Sequence, residues 1–523
     1  MRFSRLLPSV CRQSQTPKTP SWKSYYRGFV ATAALTTSLI SQTAWIQPLQ
    51  AQAAAYCQLS AEAIAQKEAA RQAAMKGEEK AKERYKALVR EHAAQMQQCR
   101  SRTWPQTQAI WLRLYPCDLQ PGAIESVMDR IINRGYNQVY VEVFYNGQVL
   151  LPMAENPTSW PSVVRVPGSE KADLLAQAIE KGRERGLKVY AWMFTMNFGY
   201  SYSQRPDRQQ AIARNGRGET TTTTRNIFDP NGETGVVVAD ETFIDPYSIQ
   251  AKQDYYQMVQ AVTRRRPDGV LFDYIRYPRG TGAASVSSKV HDLWIYGDSA
   301  QQALYQRALN NKGLELIRRF LGRGYITAGD VAAADKLYPQ ESEPMWQGRI
   351  PSNLTKALPA TQRQPFLQQE LWLLTVAHAL QGIVDFLNLA VSQVQQQGMT
   401  AGAVFFPDGN QTIGQGFDSR LQPWERFPAS IEWHPMSYGV CGASDSSCIV
   451  SLVRRVVSMA PPGARITPAI AGAWGQSLGN RPPLELQMQA IRQAAPQINA
   501  VSHFAYSWQD PQSDRDRKSC KLR

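Results

Sequence analysis

Histidine is scarce in this 523-residue chain, five in all, and none of the seven cysteines stands in a Cys-x-x-Cys pair or beside a histidine. Those absences remove the usual ligand spacings for zinc and argue against a metal site. There is no basic stripe interleaved with aromatics and no nucleic-acid-binding motif, so no nucleic-acid partner is expected. No glycine fingerprint for a dinucleotide follows the first apolar run, and no Gly-x-Ser-x-Gly elbow or Cys/His pair supports ester or amide hydrolysis. No cofactor is therefore expected. Acidic residues are missing from the first fifty positions, which carry Arg2, Arg5, Arg12, Lys18, Lys23 and Arg27. The apolar run behind them, FVATAALTTSLI (Phe29 to Ile40), is short of the roughly 20 residues that span a membrane.

What is there at the N-terminus reads as export. Small residues alternate at Ala51, Ala53 and Ala55, so residues 1–53 are expected to be a secretory signal cleaved near Ala53, with an uncleaved anchor as the alternative. Its loss lowers the formal net charge of +15 by six, which leaves a moderate basic excess suited to an anionic envelope polymer. Six cysteines remain after Cys11, an even number that favours disulfides in an exported protein. Residues 54–103 form a separate segment: from Gln58 to Gln98 the chain is rich in Ala, Gln, Lys, Glu and Arg, without proline, a helical composition. A turn at Gly77 would make it a hairpin closed by Cys57 and Cys99; one continuous helix is the alternative. Docking to an envelope partner is a candidate role for this segment.

From 104 to 523 short apolar runs alternate with amphipathic stretches. The runs are Ala109 to Tyr115, Asn137 to Asn146, Leu187 to Asn197, Asp268 to Pro278, Met399 to Asp408, Ala429 to Gly439, Ala464 to Gly472 and Ala500 to Trp508. Eight strands separated by helical segments predict an α/β fold, a (β/α)8 barrel with an N-terminal helical hairpin and a helical insertion after strand four, at about 280–366. A doubly wound open sheet is the alternative. The polar stretch between Asn197 and Asp240, with its threonine run Thr220 to Thr224, is expected to be a mobile loop over the site. Strands one and eight must be neighbours in a closed barrel, so Cys117 is expected to bond Cys520, and Cys441 to bond Cys448 locally.

Barrel chemistry sits at strand C-termini. In DGVLFDYIRYP (Asp268 to Pro278), Asp273 is a lone carboxylate in an apolar strand, expensive to bury unless it is used. Glycosidic hydrolysis needs two carboxyl groups. Glu432, which shares a strand face with His434 and Met436, and Glu142, between Val141 and Val143, are the candidate partners. Asp408, before Gly409 and Asn410, reads as a turn residue. Asp245 in FIDPYS reads as an N-cap of the helix that begins at Ile249. Aromatics near strand ends, Tyr145, Trp192, Tyr274, Tyr277, Tyr438, Trp474 and Trp508 among them, are candidate sugar platforms. Arg113, Asn197, Arg276 and His434 are candidates for orienting hydroxyl or carboxylate groups.

DGVLFDYIRYP, with the upstream FIDPYS, resembles glycoside hydrolases of the "glycosyl hydrolase-like family 10" type, from about Ile110 to Trp508 with one long interruption. The resemblance implies that Asp273 is the catalytic acid and that Asp245 matches the family's "DP" loop. Where the family's strand six commonly reads "PQxY", this chain has Pro435, Met436, Ser437 and Tyr438. The expected function is an exported glycoside hydrolase of an envelope or extracellular polysaccharide, with peptide-free peptidoglycan strands as the first candidate. A non-catalytic polysaccharide-binding or envelope scaffold protein is the alternative.

Overall fold

Near-continuous apolar runs become parallel strands when helices cover both sheet faces, and each of the eight runs contributes one. In the computed structural model, which describes residues 56–224, 241–351 and 358–521, they are β1 (Thr107–Leu112), β2 (Gln138–Tyr145), β3 (Lys188–Phe194), β4 (Gly269–Asp273), β5 (Thr400–Phe405) and β6 (Glu432–Pro435). They are followed by β7, split into Arg465–Ile466 and Ala469–Ala471, and by β8 (Ala500–Phe504). The proposed signal segment lies outside the described residues.

The strands pair in sequence order, all parallel, from β1 to β6. β7 closes the ring in two halves. Arg465–Ile466 pairs with β6, and Ala469–Ala471 pairs with β8, which in turn pairs with β1. Between the halves stands Pro468, which has no N–H for the ladder. Backbone bonds from Thr467 N to Trp433 O and from Ser437 N to Ala469 O, both 2.8 Å, carry the closure past it. The chain is thus a closed (β/α)8 barrel, and the open-sheet alternative is excluded.

Helices follow where the periodicity expects them. The first four strands are interleaved with Ala123–Asn133, Leu174–Glu184 and Ile249–Thr263. After β4 come the helices Asp298–Tyr305, Asn311–Arg323 and Ala328–Leu337 of the insertion, and then the 36-residue helix Ala360–Gln395. That last helix is long and apolar enough to cross a membrane, but Leu371, Ile383, Phe386 and Leu387 are buried in the protein core. The insertion also lends Val286–Ser287 to a small antiparallel sheet with Gly416–Asp418 beyond β5, which ties two C-terminal loops together.

The N-terminal segment is a hairpin of α1 (Ala61–Met75) and α2 (Glu79–Arg102). Gly77 turns it at φ 93°, a left-handed value that favours glycine. Its inward face is used within the chain, against Ala123–Asn133 and Leu174–Glu184. Arg100 is buried and donates to Gly135 O, Pro105 O, Tyr56 O and Gln108 Oε1.

Three disulfides join Cys57 to Cys99, Cys117 to Cys520 and Cys441 to Cys448, with Cα separations of 5.7, 5.1 and 5.7 Å. They suit an oxidising, extracytoplasmic compartment. The second ties the loop after β1 to the chain's last helix, Pro511–Lys518, beside the buried Arg517–Asp118 ion pair. It spans 403 residues of sequence, so its removal frees a large loop in the unfolded chain. Cys117→Ser with Cys520→Ser is expected to cost about 2–5 kcal/mol by denaturant titration. An unchanged midpoint would show that the bond contributes nothing to stability.

Candidate active site

Asp273 is the last residue of β4 and is 7% exposed. Beyond it the chain turns sharply: Tyr274 has φ 53°, an uncommon value for a bulky residue and worth about 1–3 kcal/mol of strain. The turn brings the Tyr274 N–H back onto Asp273 Oδ1 at 2.6 Å, while Trp192 Nε1 donates to Oδ2 at 3.1 Å. Burial pushes the carboxyl up to about 6, against the pull of those two donors and of Arg276.

Strand alternation aims Trp111, Glu142, Trp192, Phe194 and Asp273 at one cavity of about 430 Å³ in the mouth of the barrel. Glu142 is 1% exposed and sits level with Trp192 in the β2–β3 register. Arg113 holds both its oxygens, with Nη2 3.1 Å from Oε1 and Nε on Oε2, and stacks its guanidinium 4.3 Å from the Tyr145 ring centre. Burial pushes the Glu142 carboxyl up, against the opposing charge of Arg113. Asn197 also lines the cavity, its Oδ1 accepting from Gly199 N and Thr242 N at 3.1 and 3.0 Å. Arg276, Tyr274, Tyr438 and Met436 complete the wall.

Several expected site residues lie elsewhere. Glu432 is the first residue of β6 and pairs in register with Gly402 and, through it, Leu271, two positions below Asp273. It faces the lower end of the barrel, where His434, Arg465 and Lys188 outweigh its burial and hold its carboxyl below the ordinary range. His434 is fully buried above it, edge-on to Tyr140 at 5.5 Å, with Nε2 3.5 Å from Glu432 Oε2. Neither lines the cavity; the shared face expected for Glu432, His434 and Met436 is real, but only Met436 reaches the mouth. Tyr277 is buried outside the cavity. Trp474 packs against Tyr56 and His503, in the apolar cluster outside the barrel wall. Trp508 does not line the cavity; its ring centre lies 6.4 Å from that of the cavity residue Phe504. Asp408 is a turn residue, as read, and pairs with Arg420 at 3.1 Å.

Asp245 does not cap the following helix; Ser248 does, accepting from Ala251 N at 3.2 Å. Asp245 is fully buried and accepts the N–H groups of Tyr247 and Ala300, each at 2.9 Å, which pins the insertion to the strand-four approach. Burial pushes its carboxyl up to about 6. A carboxyl raised in the folded state contributes stability below its unfolded value near 4, and that contribution is lost as pH rises through 6. The loss between about pH 4 and pH 8 is on the order of 3 kcal/mol. Asp245→Asn is expected to flatten the stability profile by that amount over that range; parallel profiles for the two proteins would refute the shift.

A third cavity acid, Glu241, was hidden from sequence reading. It is 6% exposed and lies beside Tyr274, whose hydroxyl holds its proton more tightly through burial and the charge of Glu241. It comes from the polar loop ahead of Phe243 rather than from a strand, so no alternation marks it. The described part of that loop is pinned rather than loose: Asn197 bridges Phe243, and Thr221 Oγ1 accepts from Phe243 N at 3.2 Å. The described residues contain no group of three or more His, Cys, Asp or Glu side chains placed to hold a metal ion.

No protein-family model and no curated protein matches the chain. Solved structures do resemble it. The PgaB (BpsB) glycoside hydrolase domain from Bordetella bronchiseptica is 15% identical, over 80% of this chain and 99% of that one, with a TM-score of 0.44. A GH20 exo-β-N-acetylglucosaminidase from Vibrio harveyi is 8% identical, over 80% and 53%, with a TM-score of 0.37. A GH18 chitinase from Pseudoalteromonas aurantia is 9% identical, over 79% and 97%, with a TM-score of 0.34. These are likenesses among glycoside hydrolase domains; the barrel itself rests on the strand pairing above.

Proposed function

We propose that this protein is an exported glycoside hydrolase of an envelope or extracellular polysaccharide. The observation that carries the reading is the convergence of two buried carboxyl groups, Asp273 and Glu142, on one aromatic-walled cavity at the C-terminal mouth of a closed barrel. Asp273, held protonated up to about 6, supplies the proton to the leaving oxygen. Glu142, oriented on both oxygens by Arg113, is the second carboxyl, acting as nucleophile or as base for water. Trp192 and Phe504 offer apolar surface to sugar rings, with the buried Trp111 packed edge-on against Trp192. Three disulfides and the signal-like N-terminus support export, and the resemblance to the glycosyl hydrolase-like family 10 type makes peptide-free peptidoglycan strands the first polymer to try.

One observation favours a second reading. Met436 lines the cavity where a glutamine is common in that family, and a thioether makes no strong hydrogen bond to a hydroxyl. A polysaccharide-binding protein without turnover would tolerate it. The test is reducing-end release from peptide-free peptidoglycan strands and a panel of glucans. Release from one polymer supports the hydrolase; saturable binding to a polymer with no reducing ends under any condition supports the binding protein instead.

A further inference from the structure

Arg276 is the anomaly of the cavity. It follows Asp273 by three residues, lines the same space and is 6% exposed. Its guanidinium is walled by three rings, with centres 4.6 Å away at Tyr274, 5.5 Å at Phe243 and 5.6 Å at Phe406. Among the described residues its hydrogen bonding is limited to Nη1 donating to Tyr277 O at 3.0 Å, although a guanidinium carries five N–H donors. It forms no ion pair among those residues.

Other deeply buried arginines of the chain have an acid or several oxygen acceptors. Arg185 pairs with Asp129, Arg517 with Asp118 and Arg420 with Asp418 and Asp408. Arg100 has no acid but four oxygen acceptors. Burying a charge without an ion pair is costly, and among the described residues Arg276 carries that cost where it faces the cleft. Two of the carboxylates near it are engaged by other groups, Asp273 by Trp192 and Tyr274 and Glu142 by Arg113. Nearby, burial lowers the hold of Arg279 on its proton, as do the charges of Arg420 and Arg276, against the pull of Asp408 and Asp418.

We propose that Arg276 is the anion-recognising residue of the cleft and takes the carboxylate of an acidic sugar beside the bond on which Asp273 acts. The inference rests on the hydrolase reading for the place of that bond. A guanidinium with no ion pair among the described residues, in a slot walled by rings, matches one planar, singly charged group, which it can bind through two parallel N–H donors. The substrate class is then a carboxylate-bearing polysaccharide rather than a neutral glucan.

The test measures binding first, so that it does not depend on turnover. Asp273→Asn protein is titrated calorimetrically with oligosaccharides from peptide-free peptidoglycan strands, polygalacturonate and hyaluronate, each beside its carboxyl-reduced counterpart. Reduction of the carboxyl is expected to weaken binding of the preferred polymer on the order of 30-fold. Adding Arg276→Gln should weaken the acidic form by a similar factor and leave the reduced form unchanged. Arg276→Lys, which keeps the charge, should recover part of the loss and serves as a check that the wall still folds. Equal affinity for acidic and reduced forms, an equal loss on both with Arg276→Gln, or no binding to any acidic polymer overturns the proposal. Reducing-end release by the native protein separates the two readings. Carboxylate-dependent binding without release sinks the hydrolase and keeps Arg276, whereas equal release from acidic and reduced polymers keeps the hydrolase and sinks Arg276.

Discussion

Asp273→Asn is expected to lower reducing-end release about 10³-fold, the scale of a lost proton donor in glycosyl transfer to water. The variant keeps the shape of the residue and one carbonyl oxygen, which can still accept the Tyr274 N–H that now bonds Oδ1. The other contact, from Trp192 Nε1 to Oδ2, becomes a meeting of two donors, a local cost of about 1–3 kcal/mol that leaves the barrel folded. Native activity should also fall as pH rises above 6, because burial holds the Asp273 proton up to about that value and no further. The expected signature is a descending alkaline limb in the native protein and none in the residual activity of the variant. Comparable activity in the two proteins at pH 5.5 would remove Asp273 from the chemistry.

The place of Asp273 at a buried strand end was legible in the sequence because a parallel strand covered on both faces has almost no polar residues, so a carboxylate inside one stands out. Asp273 and Glu142 both stood out in this way, as did the eight runs that make the ring. The height of a residue along the barrel was not legible. Glu432 lies in a strand, but at its first position, and only the register with Gly402 and Leu271 shows that it faces the lower end. Local pattern says which face a side chain takes, not which end of the barrel it reaches. Glu241 shows the converse: a loop residue brought to the cavity by tertiary contacts that no periodicity records. The capping at Ile249 went to Ser248 because that hydroxyl is one residue from the helix, while Asp245 was drawn to Tyr247 and Ala300. The cysteine pairs were legible because the barrel's closure and the Gly77 turn fix which chain segments can meet. The docking of the hairpin was not, because α1 buries charge rather than an apolar stripe.

Its buried residues are Lys67 and Arg71, and Lys67 meets Asp129 and Arg185 under the hairpin. Asp129 is 4% exposed and accepts from Tyr85 Oη at 2.6 Å and Arg185 Nε at 2.9 Å, with Lys67 Nζ at 3.4 Å. Lys67 and Arg185 are each 1% exposed, so one carboxylate serves two buried cations drawn from α1 and from the end of Leu174–Glu184. Burial already lowers the Lys67 ammonium's affinity for its proton, against the pull of Asp129. Asp129→Ala removes that pull, leaving Lys67 with no ion pair among the described residues and Arg185 with only the exposed Glu184 at 3.4 Å, an effect of about 3–5 kcal/mol. The loss should be local before it is global. Asn133 Oδ1 still accepts from Lys67 and the Cys57–Cys99 bond still closes the hairpin, so α1 and α2 are expected to lift from the barrel while the ring stays intact. Hydrogen exchange should show lost protection over 61–102 with β1 to β8 unchanged, and the midpoint of unfolding should drop. The double variant Asp129→Leu with Lys67→Met, which removes a charge from each side, should recover part of the stability. Unaltered protection of the hairpin in Asp129→Ala would show that its apolar contacts, Leu88, Val89 and Met96, suffice to hold it and that the buried ions are not what docks it.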